Sequence, residues 1–145
     1  MKLPEKAWVV VADGEKYLAL KNHGPAHHID LRVLRVEETE IARTSAQGVD
    51  RPGRQAKPGG RRSAIEQTDW ARLSKEAFAS GLAEWLNRAA LNSAFPALVL
   101  VADPRTLGAL RPHLHGAVRE RLAAEIVGDH AHETVPAIEE LIRKF

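Results

Sequence analysis

A single α/β domain built on a mixed five-stranded sheet is what this 145-residue sequence predicts, and three observations carry the prediction. Two runs, A-W-V-V-V-A at 7–12 and A-L-V-L-V-A at 97–102, are apolar without a break, as strands buried on both faces are. Three short strand signals succeed one another before residue 38. After residue 63 helical and strand patterns alternate, which sets helices on the faces of a sheet.

Composition narrows the class. Hydrophobic residues at 44% and charged residues at 28% describe a globular chain long enough to bury a core unaided by metal or disulfide. Cysteine is absent, which excludes disulfide frameworks, thiolate chemistry and Cys-ligated zinc, and fits a reducing compartment such as the cytoplasm. The apolar run near the N-terminus, about six residues interrupted by Pro4 and Glu5, is too short for a signal peptide. No stretch approaches the roughly 20 apolar residues that span a bilayer.

The run 7–12 is the expected central strand. Asp13-Gly14 follows it, a pair that supplies the positive φ angles of a tight hairpin, and K-Y-L-A-L-K at 16–21 returns as the second strand. In L-R-V-L-R-V at 31–36 arginines interrupt the apolar positions, which suits an edge strand. Ser63-Ala-Ile-Glu66 forms a capping box at the start of a helix running to about Leu91. Its expected buried stripe is Trp70, Leu73, Ala77, Phe78, Leu82, Trp85, Leu86 and Ala89. Gly81, costly in a helix interior, suggests close packing on the sheet. Asp103-Pro104 caps the next helix, predicted to reach about His115 with Pro112 kinking or ending it. Residues 118–126 continue as a short helix into a strand near 123–127, and Thr134 caps an amphipathic helix that ends the sequence. The order is therefore β-β-β-α-β-α-β-α. Right-handed crossovers give sheet order 3-2-1-4-5. Neither an internal repeat nor a second domain is apparent, so 1–145 reads as one domain.

Residues 38–62 break the pattern. This connection has no sustained period, is rich in Gly, Pro, Gln, Ser and Arg, and is longer than compact domains ordinarily allow without a function. Between Arg43 and Arg62 six basic residues face one acid, a charge of +5 in a chain of only +2, so the remainder carries 2 − 5 = −3. Such local basicity is an electrostatic footprint for phosphate or another polyanion. Arg51, Arg54, Lys57, Arg61 and Arg62 would supply forked or point-charge donors, and Gly59-Gly60 would let a phosphodiester approach the backbone.

Two further groups are weighed as metal ligands. Asp13 and Asp103 fall at the carboxyl ends of adjacent parallel strands, where α/β sheets hold ligands, but a turn and a helix cap already account for them. His130 and His132 share a side only if their segment is extended; solvated loop histidines are the simpler reading. No nucleophile sits in an activating context, and neither a Walker loop nor a dinucleotide fingerprint occurs, so no cofactor is expected.

Two resemblances bear on function. The opening W-V-V-V-A-D-G-E-K, the central D-R-P-G-R with G-G-R-R-S-A-I-E-Q-T-D-W, and the later L-N-R-A-A and L-V-L-V-A-D-P-R-T-L-G resemble the bacterial host attachment protein family, described as required for attachment to host cells. The meander, a basic loop with Gly59-Gly60 and then Ser63 opening a long helix, is similar to the middle domain of archaeo-eukaryotic peptide-chain release factors. In those factors a Gly-Gly-Gln tripeptide promotes peptidyl-tRNA ester hydrolysis, its glutamine positioning the attacking water. Here Arg61 stands in the glutamine's place, and a guanidinium has donors only. The resemblance therefore implies the binding half of that activity without its hydrolysis. The partner it implies is structured RNA, ribosomal or transfer, or the ribosome itself. The expected function is a non-catalytic cytoplasmic binder using Arg51, Arg54, Lys57, Gly59, Gly60, Arg61 and Arg62. The alternatives are an attachment factor gripping an anionic surface polymer, and a metal-dependent hydrolase through Asp13 and Asp103. Oligomeric state is not legible.

Overall fold

A computed structural model describes residues 1–39 and 64–145. Three strands come first, β1 (Trp8–Ala12), β2 (Lys16–Asn22) and β3 (Leu31–Glu38). They are followed by α1 (Ala64–Leu91), β4 (Leu98–Ala102) and α2 (Pro104–Leu110). A 3₁₀ turn (Arg111–His113), α3 (Gly116–Arg121), β5 (Leu122–Val127) and α4 (Val135–Lys144) complete the described chain. The sheet order is β3-β2-β1-β4-β5. β1 pairs antiparallel with β2 and parallel with β4, while β2–β3 is antiparallel and β4–β5 parallel. This is the predicted mixed α/β topology.

β1 and β4, which make up all but the first residue of the two unbroken apolar runs, are buried along their whole length, as central strands flanked by neighbours and covered on two faces must be. Alternation within them feeds two cores. Trp8, Val10 and Ala12 join Leu98, Leu100 and Ala102 beneath α1, α2 and α3, meeting Leu82, Leu86, Phe95, Leu107 and Val118. Val9, Val11, Val99 and Val101 face the other way, with Leu18, Leu20 and Ile126, against Ile138 and Ile142 of α4 and against Leu3. Each such fully buried Leu or Ile contributes about 1.5–3 kcal/mol by leaving water.

The buried Asn22 fastens three segments. Its Nδ2 donates to the carbonyls of Leu3 (2.9 Å) and Pro4 (3.1 Å), and its Oδ1 accepts from Gly24 N (3.0 Å) and Asp30 N (2.9 Å). Asn87 on α1 does likewise, donating to His113 O (2.9 Å) and accepting from His115 N (2.9 Å), which holds the 3₁₀ turn and the start of α3 against the helix.

Several local expectations give way. No described glycine has a positive φ, so the Asp13-Gly14 turn works differently. Asp13 Oδ1 accepts from Glu15 N (2.7 Å) and Lys16 N (2.8 Å), an Asx-type turn in which the side chain replaces the dihedral. Gly81 is exposed, with nothing near a Cβ built there, so close packing does not account for it. Leu73 is 55% exposed, and Ala77 is exposed too, because α1 begins beyond the sheet and reaches the core only near Phe78. The second helix ends at Leu110 rather than near His115, since Pro112 at the following positions cannot donate to an α-helical ladder and tightens the chain into the 3₁₀ turn.

Candidate functional site

The two described residues that flank the basic connection locate its roots. Thr39 N donates to Glu15 O at 2.7 Å, so the chain leaves β3 beside the β1–β2 turn. That turn lies at the carboxyl end of β1 and of its parallel neighbour β4. α1 runs antiparallel to β1: Trp85 stacks on Trp8 at the strand's start, while the Lys75 side chain lies against Gly14 just past its end. Ala64 is eleven residues before Lys75, which at 1.5 Å per residue carries the helix start roughly 16 Å further out. Both flanks thus belong to one end of the sheet. Arg51, Arg54, Lys57, Gly59, Gly60, Arg61 and Arg62, with the Ser63 cap, lie outside the described residues, and so does the side chain of Trp70.

Asp13 and Asp103 do end neighbouring parallel strands, after the paired Ala12 and Ala102. Each is engaged locally. Besides its turn, Asp13 meets the exposed His132 at 3.3 Å, Oδ2 to Nε2, a solvent-facing contact of small worth. Asp103 caps α2 with both oxygens, accepting from Thr106 N (3.2 Å) and from Thr106 Oγ1 (2.6 Å). His130 turns elsewhere, its Nδ1 2.8 Å from Glu133 Oε1. Each imidazole therefore takes a different carboxylate. Among the described residues no three His, Asp or Glu side chains converge as ligands.

An aromatic ladder crosses the α1 face at the edge of the core. Trp8 stacks on Trp85 (5.0 Å between centroids) and tilts against Phe95 (4.8 Å); Tyr17 lies 5.6 Å from Phe78 and 5.7 Å from Trp85. Such pairs add to area burial. Trp85 is half-buried, and its ring is covered by the Arg35 guanidinium at 4.9 Å, a cation–π contact. Burial raises the Tyr17 phenol above its ordinary 10.0; Arg35 opposes the rise and Glu37 adds to it. Trp8 Nε1 is buried without a partner. The Arg35–Trp85 stack depends on the register of β3 on β2 and on the irregularity after Val33, which the sequence does not show.

A second group of arginines serves the protein's own frame. Arg111 Nη2 lies 2.7 Å from Glu125 Oε1, Arg119 Nη2 donates to Arg111 O (2.9 Å), and Arg121 Nη1 donates to Ala117 O (2.8 Å). These ties brace the 3₁₀ turn and α3 beside β5. The basic segment between residues 43 and 62 remains the larger concentration of like charge.

The family model of bacterial archaeo-eukaryotic release factor family 12 matches residues 6–142, almost the whole chain. Among solved structures, the crystal structure of an archaeal translation termination factor, aRF1, is similar at 10% identity with a TM-score of 0.49; the match covers 94% of this chain and 40% of that one. The chain thus spans about two fifths of that factor's length. No curated protein sequence matches it. No described helix is long and apolar enough to cross a membrane.

Proposed function

Because the chain belongs to bacterial archaeo-eukaryotic release factor family 12, we propose that this release-factor-like domain is a non-catalytic, cytoplasmic binder of structured RNA on the ribosome. The observation that carries the proposal is the +5 charge concentrated between Arg43 and Arg62 in a chain whose remainder is −3. Arg51, Arg54, Lys57, Arg61 and Arg62 contact phosphates, and Gly59-Gly60 admits the backbone close to them. Arg61, with donors only, holds an oxyanion but cannot accept a proton from water, so binding proceeds without ester hydrolysis. The geometry of Asp13 and Asp103, both committed to local hydrogen bonds, favours this over metal-assisted hydrolysis.

The test is RNA binding across a salt series, alongside co-sedimentation with ribosomes. Wild-type chain is expected to bind at low salt with log K falling linearly in log salt. Alanine at Arg51, Arg54, Lys57, Arg61 and Arg62 together should flatten that slope by about four if all five meet phosphates. Absence of binding at low salt would end the proposal. Attachment to host cells, implied by the sequence resemblance, then follows indirectly from an internal role. Intact chain recovered from the cell surface would instead favour direct contact with a surface polyanion through the same cations.

A further inference from the structure

We propose that β3, the outer strand of the sheet, is a two-fold interface on which a second copy of this chain docks, joining two five-stranded sheets into one of ten strands. The observation is concentrated exposure. Of the seven large apolar residues exposed among the described residues, three fall within four positions of β3: Val33 at 56%, Leu34 at 42% and Val36 at 47%. A strand with exposed apolar side chains and, among the described residues, no further strand beside it is the surface that proteins ordinarily guard, because it templates pairing with another strand.

The bulge in β3 arranges these side chains. Leu20 pairs with Val33 and Ala19 with Arg35, so Leu34 is an extra residue and the strand changes phase across it. Val33 and Val36, three apart, consequently share the α4 face beside Leu20 and Leu18, and Arg32, Arg35 and Glu37 share the α1 face beside Lys21, Ala19 and Tyr17. Were the strand regular, residues three apart would point to opposite faces.

This arrangement is its own complement. Two copies of β3 set antiparallel about an axis between Leu34 and Arg35 place Val33 opposite Val36 on one face and Arg32 opposite Glu37 on the other. Val33 meets Val36, and Arg32, which within one chain lies 3.0 Å from Asp30, meets Glu37, each pairing occurring twice by symmetry, while Leu34 falls opposite Arg35. The usable length matches as well. Leu31 N, the first outward donor of the strand, is taken by Glu139 Oε2 of α4 at 2.8 Å, so the next donor on that side is Val33 N, within the complementary segment. The contact closes after two copies, because β3 has only one side left once the other is paired with β2.

Sedimentation velocity of the full chain over a hundredfold concentration range tests the proposal. The expected species has twice the 16.0 kDa of one chain. Val33→Lys/Val36→Lys should sediment as one chain with an unchanged far-UV circular dichroism spectrum. Arg32→Glu should weaken association at least tenfold, and Arg32→Glu/Glu37→Arg should restore it, an effect that loss of folding cannot imitate. A single 16.0 kDa species throughout, a dimer indifferent to the valine changes, a charge exchange that fails to restore pairing, or a ladder of species beyond two copies would each overturn it.

Discussion

Ser93 holds φ = 55° where α1 ends, its N–H donating to Ala90 O (3.0 Å) while Ala94 N donates to Ala89 O (2.9 Å). That left-handed position favours glycine, and serine adopts it at a cost of roughly 1–2 kcal/mol. Twelve residues earlier Gly81 sits exposed inside the same helix with space for a methyl group, where glycine costs about 1 kcal/mol relative to alanine. Ser93→Gly and Gly81→Ala are each expected to stabilise by about 1 kcal/mol and to add, read as shifts of the urea midpoint at constant m. Tyr17 gives a pH dependence. Its folded phenol titrates above 10.0, so the unfolded state loses its proton first; the stability Tyr17 contributes is complete below pH 10.0 and is lost as pH rises through the folded value. Tyr17→Phe should lessen the loss of stability above that pH, and because Tyr17 is the sole tyrosine the ionisation can be followed by ultraviolet absorbance. At this scale the sequence announces residue types but not dihedrals: Asp13-Gly14 signals a turn correctly, yet the turn is made by a carboxylate and not by positive φ.

Elements were more legible than their burial. Helical spacing identified α1, but a stripe drawn on a sequence cannot show where the sheet beneath it stops. Leu82 is buried while Leu73, nine residues earlier on the expected stripe, is exposed. Leu82→Ala should therefore destabilise by roughly 2–5 kcal/mol, whereas Leu73→Ala should fall within about 0.5 kcal/mol, measured by denaturant unfolding. β3 shows the complementary limit. Its apolar and basic residues recur every three positions, a period belonging to neither a regular strand nor a regular helix, and an edge location was inferred from the arginines alone. The bulge at Leu34 resolves the period into two consistent faces, something only the pairing with β2 reveals.

For the molecule as a whole, topology was legible because two unbroken apolar runs and the handedness of crossovers leave few alternatives. The candidate site was legible as charge, which needs no coordinates, while its cations lie outside the described residues. The separation of charge has a measurable outcome. Removing the five cations Arg51, Arg54, Lys57, Arg61 and Arg62 leaves a chain of 2 − 5 = −3, which RNA repels. That variant should bind RNA only weakly at low salt and with the flattened slope, and an affinity left at the wild-type level would locate the contacts on the sheet body instead.

The guanidinium resting on Trp85 gives the molecule an optical gauge of its own. Arg35 belongs to the outermost strand, so anything that settles along that strand displaces or dehydrates the cation above the indole. Emission from Trp85 would then report occupancy of the sheet's margin without any attached dye, and dilution alone would serve as the titrant.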